Sequence, residues 1–149
     1  MINNFFLTRL VIIYLFFTSI GFSGDFNYYD RGKILFDKKQ FDKSKFLFEK
    51  DIVFNPKNER SYLYLAKIFN ENANEQSEEL NLNSVLILNP KNDEALYMLI
   101  LLKIKQYDYD QAKQLIMKFD LVCKSFCTKK TEIEEKFSKL TPGNAKDNN

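Results

Sequence analysis

The chain contains no histidine. Histidine is the usual general base near neutral pH and the commonest neutral metal ligand, so its absence argues against acid–base and metal-dependent catalysis. Glycine is also scarce, and no Gly-rich phosphate-binding loop is present. Adjacent acids such as Glu134 and Glu135 point to different faces of a helix, so they cannot converge on one bond. These observations predict a protein that is not an enzyme and that needs no cofactor and no metal.

Neither sign of charge is in excess. The 22 Lys and Arg residues nearly balance the 20 Asp and Glu residues, which gives a formal net charge of +2. A domain that binds nucleic acid usually shows a basic face, and the local basic run at Lys129 and Lys130 is followed at once by Glu132 and Glu134. The sequence therefore predicts no nucleic-acid partner.

Cysteine is limited to Cys123 and Cys127. An oxidising compartment would permit a disulfide between them. Four residues apart on a regular helix, two cysteines are poorly aimed for a bridge, so a bond would require a break in the helix. Free or partner-linked thiols are the alternative, because the spacing does not fit a redox-active pair. A structural disulfide is the leading hypothesis.

Charged residues are almost absent from residues 1–23. One basic residue, Arg9, precedes the stretch LVIIYLFFTSIGF, which has the length of a signal-peptide core and is short for a bilayer of ~30 Å. Small residues at Gly21 and Ser23 favour cleavage before Gly24. An uncleaved N-terminal anchor and a buried core helix are the alternatives. We expect export to the periplasm, or membrane anchoring facing it, with membrane contact only through an uncleaved segment.

A repeat of 34 residues organises the rest of the chain. Pro56 and Pro90 close the similar phrases VFNPKNE and ILNPKND. Shifting the sequence by 34 aligns large and small residues in columns with helical spacing, which predicts two amphipathic helices per repeat. Proline should end each second helix, and the acid after it should favour the next helix N-terminus. The aligned columns are Tyr28, Tyr62 and Leu96; Gly32, Ala66 and Ile100; Ser44, Glu78 and Ala112; and Phe48, Leu82 and Ile116.

These residues resemble the tetratricopeptide repeat. The resemblance is carried by Tyr28, Gly32, Phe36, Phe41, Ser44, Phe48 and Pro56 in the first repeat, by Tyr62, Leu65, Ala66, Phe69, Leu82, Val85 and Pro90 in the second, and by Leu96, Leu99, Tyr109, Ala112 and Ile116 in the third. It implies an all-α, right-handed α-solenoid of about three helix hairpins with a C-terminal capping helix. The implied units are repeats at 24–58, 59–92 and 93–126 with a capping helix at 127–140. The Pro–Gly turn and the small or polar residues of 141–149 predict a disordered tail.

Three departures from the repeat pattern produce further expectations. Glu78 occupies a small-residue position inside a polar stretch, so the second helix of repeat two could start late or shift in register. Ile100 replaces the small residue of repeat three and should push its helix pair apart. Repeat three also lacks a closing proline, which predicts that the array ends near Leu121.

The resemblance also implies a concave groove lined by the first helix of each repeat. Basic residues interleave there with aromatic and aliphatic ones, a surface suited to a peptide or partner segment with apolar anchors and a carboxylate. The alternative is that the apolar members are inter-repeat core and the lysines are solvated. The predicted groove residues are Tyr29, Lys33, Phe36, Arg60, Leu63, Lys67, Asn70, Tyr97 and Leu101.

The segment at 128–140 bears on a second functional hypothesis, a self-assembling solenoid without a peptide ligand. The exposed end of a short solenoid can pair with another copy. Ile133, Phe137 and Leu140 recur at helical spacing and form one apolar stripe. Such a stripe most simply folds back as a terminal cap, so we expect a monomer that scaffolds or assembles an unidentified protein partner.

Overall fold

The computed structural model describes residues 27–140, and all regular secondary structure in this range is helical. None of the helices in this range has the length and apolar character needed to cross a membrane. The predicted signal or anchor at 1–23 and the predicted disordered tail at 141–149 lie outside the described residues.

Consecutive helices pair into antiparallel hairpins. In order along the chain, the hairpins are α1 (Tyr28–Asp37) with α2 (Phe41–Phe54), α3 (Glu59–Glu71) with α4 (Glu75–Leu88), and α5 (Asp93–Lys105) with α6 (Tyr109–Val122); a 3₁₀ turn (Cys127–Lys129) then leads into α7 (Lys130–Leu140). Each helix also packs against the next along the chain, so the hairpins stack in sequence. The predicted all-α solenoid is confirmed.

The closing prolines act as the sequence predicts. α2 and α4 end immediately before Asn55 and Asn89, whose backbone angles are φ −126°, ψ 67° and φ −139°, ψ 88°. Both lie outside the helical region, as expected for a residue that precedes proline. The next helix therefore starts in a new direction after four residues.

The turn inside each hairpin is the same in all three repeats. Lys39, Ala73 and Tyr107, spaced by 34, have φ of 56°, 52° and 59°. Each donates its backbone N–H to a carbonyl three residues earlier, and the following N–H reaches a carbonyl five residues back. This is the Schellman pattern, which glycine usually supplies. The sequence has no glycine at these positions, so the three matching turns were not predicted.

Close helix contact in the first hairpin requires a small residue. A Cβ atom on Gly32 would lie 2.9 Å from the Phe48 ring, which is too close for real atoms. The Ser44 hydroxyl donates to the Gly32 carbonyl at 2.8 Å. The small-residue columns at these positions therefore mark the contact between α1 and α2.

Two expectations from the departures are corrected. α4 begins at Glu75 and spans 14 residues, the same as α2 and α6. The helix begins at the position that the 34-residue period predicts. Asn74 caps it there by accepting a hydrogen bond from the Ser77 N–H at 3.1 Å. Ile100 does not open the third hairpin. It is fully buried with the small Ala112, and helices α5 and α6 remain packed.

The final helix covers the end of the array. Ile133 is buried in the cluster that contains Ile100 and Phe119. The ring of Phe137 meets that of Tyr109 at 6.2 Å between centroids. The apolar stripe thus faces the solenoid, as predicted for a cap, except that the side chain of Leu140 lies outside the described part of the chain.

Cys123 and Cys127 are joined by a disulfide with their Cα atoms 5.3 Å apart. α6 ends at Val122, and the 3₁₀ turn begins at Cys127. The helix is therefore interrupted between the two cysteines, as the sequence argument required for a bond. The bridge fixes the turn between the last repeat and the cap.

Removing the bridge should lower stability moderately. Replacing both cysteines with serine is expected to cost about 2 kcal/mol, because the bond restricts a short loop of the unfolded chain. Thermal unfolding followed by circular dichroism measures this change. Reductant should lower the Tm of the parent chain and leave that of the double variant unchanged. Two alkylatable thiols in the unreduced protein would contradict the expectation.

Candidate functional site

Aromatic rings from the first and second repeats cluster at one end of the inner face. The Tyr64 ring stacks on Phe48 at 4.9 Å between centroids and meets Phe36 edge-on at 5.0 Å. Tyr29 lies 5.9 Å from Tyr64. The predicted residues Tyr29 and Phe36 are half-buried here, so each joins the core and keeps some surface. Tyr64 was missed because it lies one position beyond the expected groove-facing column.

Basic side chains cover these rings. The Arg60 guanidinium lies 4.4 Å from the centroid of Tyr29, and the Lys67 ammonium lies 4.9 Å from that of Tyr64. Lys67 also pairs with Glu94 at 2.7 Å. Burial, reinforced by Tyr29 and nearby carboxylates, raises the pKa of Tyr64 to about 12. The Tyr64 side chain is therefore uncharged at physiological pH.

The other predicted groove residues of the first two repeats differ in exposure. Lys33 is exposed and forms no ion pair within residues 27–140. Leu63 is only 7% exposed and lies in the core with Leu82, Ala95 and Leu99. This cluster is formed by α3, α4 and α5, so the structure places Leu63 in the core between the helices and not on an exposed surface. Lys33 is thus the free cation of this end, whereas Leu63 offers almost no surface.

A cavity of about 310 Å³ opens between α3 and α5. Its walls include Asn70, Glu78, Tyr97 and Leu101. The Asn70 amide donates to the Glu78 carboxylate at 3.0 Å. Burial raises the pKa of Glu78, and the Asn70 bond partly offsets this rise. The predicted ligand contact Asn70 is therefore already hydrogen-bonded, and its partner is an acid that lines the same cavity.

Tyr97 links the groove to the capping segment. Its hydroxyl donates to Glu132 at 3.0 Å, and its ring lies 5.7 Å from that of Phe126. The Lys129 ammonium stands over the same ring at 5.4 Å. Burial and the bond to Glu132 raise the pKa of Tyr97. The cap thus fixes the orientation of this groove residue.

A larger cavity of about 470 Å³ adjoins the first and lies between α5 and α7. Leu101 and Ile104 form its apolar floor, and Lys105, Lys136 and Lys139 line its rim. Leu101 and Lys105 belong to both cavities. The rim lysines were missed, although Lys139 follows Lys105 by one repeat length. The 34-residue spacing that relates Lys105 to Lys139 was present in the sequence. Finding it required extending the repeat period into the capping helix.

The three lysines on the rim of the larger cavity differ in their ion pairs. Lys105 binds Glu75 at 2.7 Å, and Lys136 approaches Glu132 only to 3.9 Å. No ion pair within the described residues involves Lys139. Residues 27–140 hold no cluster of three or more acids or cysteines placed to bind a metal ion. The site therefore offers apolar contact and positive charge.

Comparison with solved structures identifies the fold. The chain is similar to the TPR2B domain of yeast Sti1 solved in a complex with pHsp70, with a TM-score of 0.69 at 15% identity, covering 77% of this chain and 96% of that one. It is similar to the Sgt2 TPR domain from Aspergillus fumigatus, with a TM-score of 0.66 at 15% identity, covering 83% and 85%. The CopN–Scc3 complex gives a TM-score of 0.64 at 15% identity, covering 80% and 71%.

No protein-family model matches the sequence, and no curated protein matches it. The likeness therefore rests on the arrangement of the helices. That arrangement covers most of the chain, and the residues that carry the repeat pattern occupy its hairpin contacts. The chain has the fold of a tetratricopeptide-repeat domain.

Proposed function

We propose that this chain is a non-enzymatic protein–protein interaction module that is exported to the cell envelope and binds a partner segment along its inner face. The observation that carries the proposal is the pair of adjoining cavities that share Leu101 and Lys105. An apolar floor beside a lysine rim, on the groove side of a helical repeat, suits a short segment with an aliphatic anchor and an acidic group.

The structural neighbours support a role in binding proteins. The Sti1 domain was solved in a complex with pHsp70, and another neighbour is the CopN–Scc3 complex. Repeat solenoids provide extended concave surfaces for such contacts. By analogy in fold, the inner face of this chain is the first surface to test.

The charges assign a direction to the bound segment. The acid Glu78 lines the smaller cavity, where it would repel a carboxylate. The lysines lie on the rim of the larger cavity, where a carboxylate would be attracted. We therefore place the aliphatic anchor over Leu101 and the acidic group of the ligand beside Lys136 and Lys139.

The opposite end of the groove contributes less charge than the sequence indicated. Lys67 is held by Glu94, and the guanidinium of Arg60 covers Tyr29. Lys33 is the exposed cation that remains there. A longer segment would reach it across the aromatic cluster.

Export and a monomeric state belong to the same proposal. The predicted signal or anchor at 1–23 would deliver the chain to an oxidising compartment, where the Cys123–Cys127 bond is stable. The cap places Ile133 in the core, and this removes apolar surface from the end of the array. A light-scattering mass of one chain is the expected result.

Charge reversal on the rim should abolish partner recovery. We expect Lys136→Glu with Lys139→Glu to release partners that the parent chain retains from an envelope extract, because two attractive charges become repulsive. Lys43→Glu with Lys113→Glu is the matched control. Both control lysines are exposed on second helices, and this pair changes the net charge equally.

A second arm tests the aromatic end of the groove. Lys33→Glu with Lys67→Glu should weaken recovery less than the rim variant, since Lys67 already has an internal partner. Circular dichroism confirms that each variant is folded. If a folded rim variant recovers the same partners as the control pair, the groove proposal fails.

A further inference from the structure

The loops that follow the three second helices stack along one edge of the solenoid. The Asn89 amide donates to the Glu59 carboxylate at 3.1 Å, so the second loop contacts the start of α3. The backbone N–H groups of Lys124, Ser125 and Phe126 donate to Asp93 Oδ2 at 2.8, 2.6 and 2.9 Å. We call the surface formed by loops 55–58, 89–92 and 123–126 the loop edge.

A row of aliphatic side chains stands beside these loops. Val53, Ile87 and Leu121 are 74%, 79% and 85% exposed. They are spaced by 34 residues and lie in the last turn of α2, α4 and α6. Each is a largely exposed apolar side chain at the equivalent position of its repeat. The opposite edge, formed by the turns inside the hairpins, has only Tyr107 among the exposed large apolar residues of the described chain.

One lysine follows each member of the row. Lys57, Lys91 and Lys124 are exposed, and no ion pair within residues 27–140 involves them. The loop edge thus presents apolar side chains next to unpaired positive charge.

Four acids beside the loops accept hydrogen bonds or form an ion pair, whereas Asp30 in the first turn of α1 is exposed. Asp51 accepts hydrogen bonds from Asn58 and Ser61, and Glu59 accepts from Asn89. Burial raises the pKa of the Asp93 carboxyl, but its three backbone N–H donors outweigh this effect and hold the pKa below its usual value. Asp120, beside Leu121, pairs with Lys130 at 2.9 Å. Within loops 55–58, 89–92 and 123–126 the charged side chains are all lysines, and the neighbouring carboxylates of Glu59 and Asp93 keep their charge but face the adjacent loops.

The polypeptide enters the array at the same edge. Asn27 caps α1 by accepting from the Asp30 N–H at 3.1 Å, and the first helices begin where the second helices end. Residues 1–26 lie N-terminal to this point. The segment that the sequence predicts as a signal or anchor is therefore connected to the loop edge.

We propose that the loop edge binds the surface of an anionic phospholipid bilayer, with Val53, Ile87 and Leu121 entering the headgroup region and Lys57, Lys91 and Lys124 binding lipid phosphates. Aliphatic groups flanked by lysine are typical of interfacial membrane contacts. The inner face would stay open to a partner.

A tryptophan reporter tests this contact directly, because the chain contains no tryptophan. Leu121→Trp in the full chain should show a blue shift of emission with vesicles of equal parts phosphatidylglycerol and phosphatidylcholine, and no shift with phosphatidylcholine alone. Tyr107→Trp is the matched control at the opposite edge. Its emission should stay unchanged even if residues 1–23 hold the chain on the vesicle. Ile87→Trp replaces the reporter if the first variant does not fold.

The charge requirement is tested in the reporter background. Lys57→Glu, Lys91→Glu and Lys124→Glu should each weaken vesicle partitioning by at least about fivefold, since each lysine near an anionic surface contributes roughly one factor of this size. Lys43→Glu and Lys113→Glu, on the second helices away from the loops, should have little effect. High salt should reduce partitioning of the parent chain.

Three results would overturn the proposal. The first is unchanged Leu121→Trp and Ile87→Trp emission with anionic vesicles. The second is an equal shift of the Tyr107→Trp control, which would place the contact in another part of the chain. The third is a vesicle-independent shift that grows with protein concentration, which would assign the loop edge to a second copy.

Discussion

Replacing Phe48 with alanine is expected to lower the free energy of unfolding by about 3–5 kcal/mol. Phe48 is fully buried. Its ring stacks on Tyr64, meets Tyr29 at 5.9 Å, and fills the space that Gly32 leaves open. Truncation would create a cavity where repeat one joins repeat two. Since a domain of this size is stable by about 5–15 kcal/mol, the loss is a large part of the total.

Urea denaturation followed by far-ultraviolet circular dichroism measures the effect. Phe46→Ala is the matched control, because this phenylalanine lies on the same helix and is 55% exposed. Its replacement should cost less than about 1 kcal/mol. Equal destabilisation by the two variants would show that Phe48 is not the packing centre of the first hairpin contact. A loss of groove binding in the Phe48 variant alone would follow from displacement of Tyr29 and Tyr64.

Replacing Asp51 with alanine is expected to cost about 1–3 kcal/mol, because it leaves the buried Ser61 hydroxyl and the half-buried Asn58 amide without their acceptor. Asp51 is 2% exposed. It accepts from the Asn55 amide at 3.0 Å, the Asn58 amide at 2.6 Å and the Ser61 hydroxyl at 2.5 Å. This network ties the end of α2 to the start of α3. Its loss would loosen the junction between the first two repeats.

Glu49→Ala controls for loss of an acid on the same helix. Glu49 is exposed and pairs with Lys45 at 3.3 Å, a surface contact that contributes well under about 1 kcal/mol. Comparison of urea midpoints gives the difference. An Asp51→Ala variant no less stable than the Glu49 variant would mean that water replaces the carboxylate without cost. In that case the junction depends on apolar packing alone.

In the two NPKN turns, the sequence predicts where the helix ends but not which group the second asparagine binds. Both end a helix at the asparagine before proline, as local backbone preferences require. Yet Asn92 caps its helix by accepting from the Ala95 N–H at 2.9 Å, whereas Asn58 makes no side-chain cap and turns to Asp51. The difference comes from the partner position on the preceding helix, which is Asp51 in one repeat and Val85 in the next.

The acids after these turns give a related lesson. Sequence reasoning placed Glu59 and Asp93 at helix N-termini for their interaction with the dipole, and both lie in the first turn. Their carboxylates also bind the loop that closes the same repeat. A local argument cannot find this contact, because the donors lie 30 to 33 residues further along the chain.

Several polar groups of the predicted groove residues already have partners within the protein. Asn70 is engaged by Glu78, Lys67 by Glu94, and Tyr97 by Glu132. These partners are 8, 27 and 35 residues away along the chain. The lysine rim formed with α7 was missed because the cap was considered only as an apolar cover.

The sequence by itself determined the repeat period, the ends of α2 and α4 before proline, and the small-residue contact of the first hairpin. These depend on backbone preferences and helical spacing, which act between near neighbours. Only the tertiary structure decided which polar groups stay available, that Leu63 is core, and that the aliphatic row and lysines share one edge. Those outcomes depend on how stacked repeats bring distant residues together, since burial and hydrogen bonding are set by the neighbouring unit.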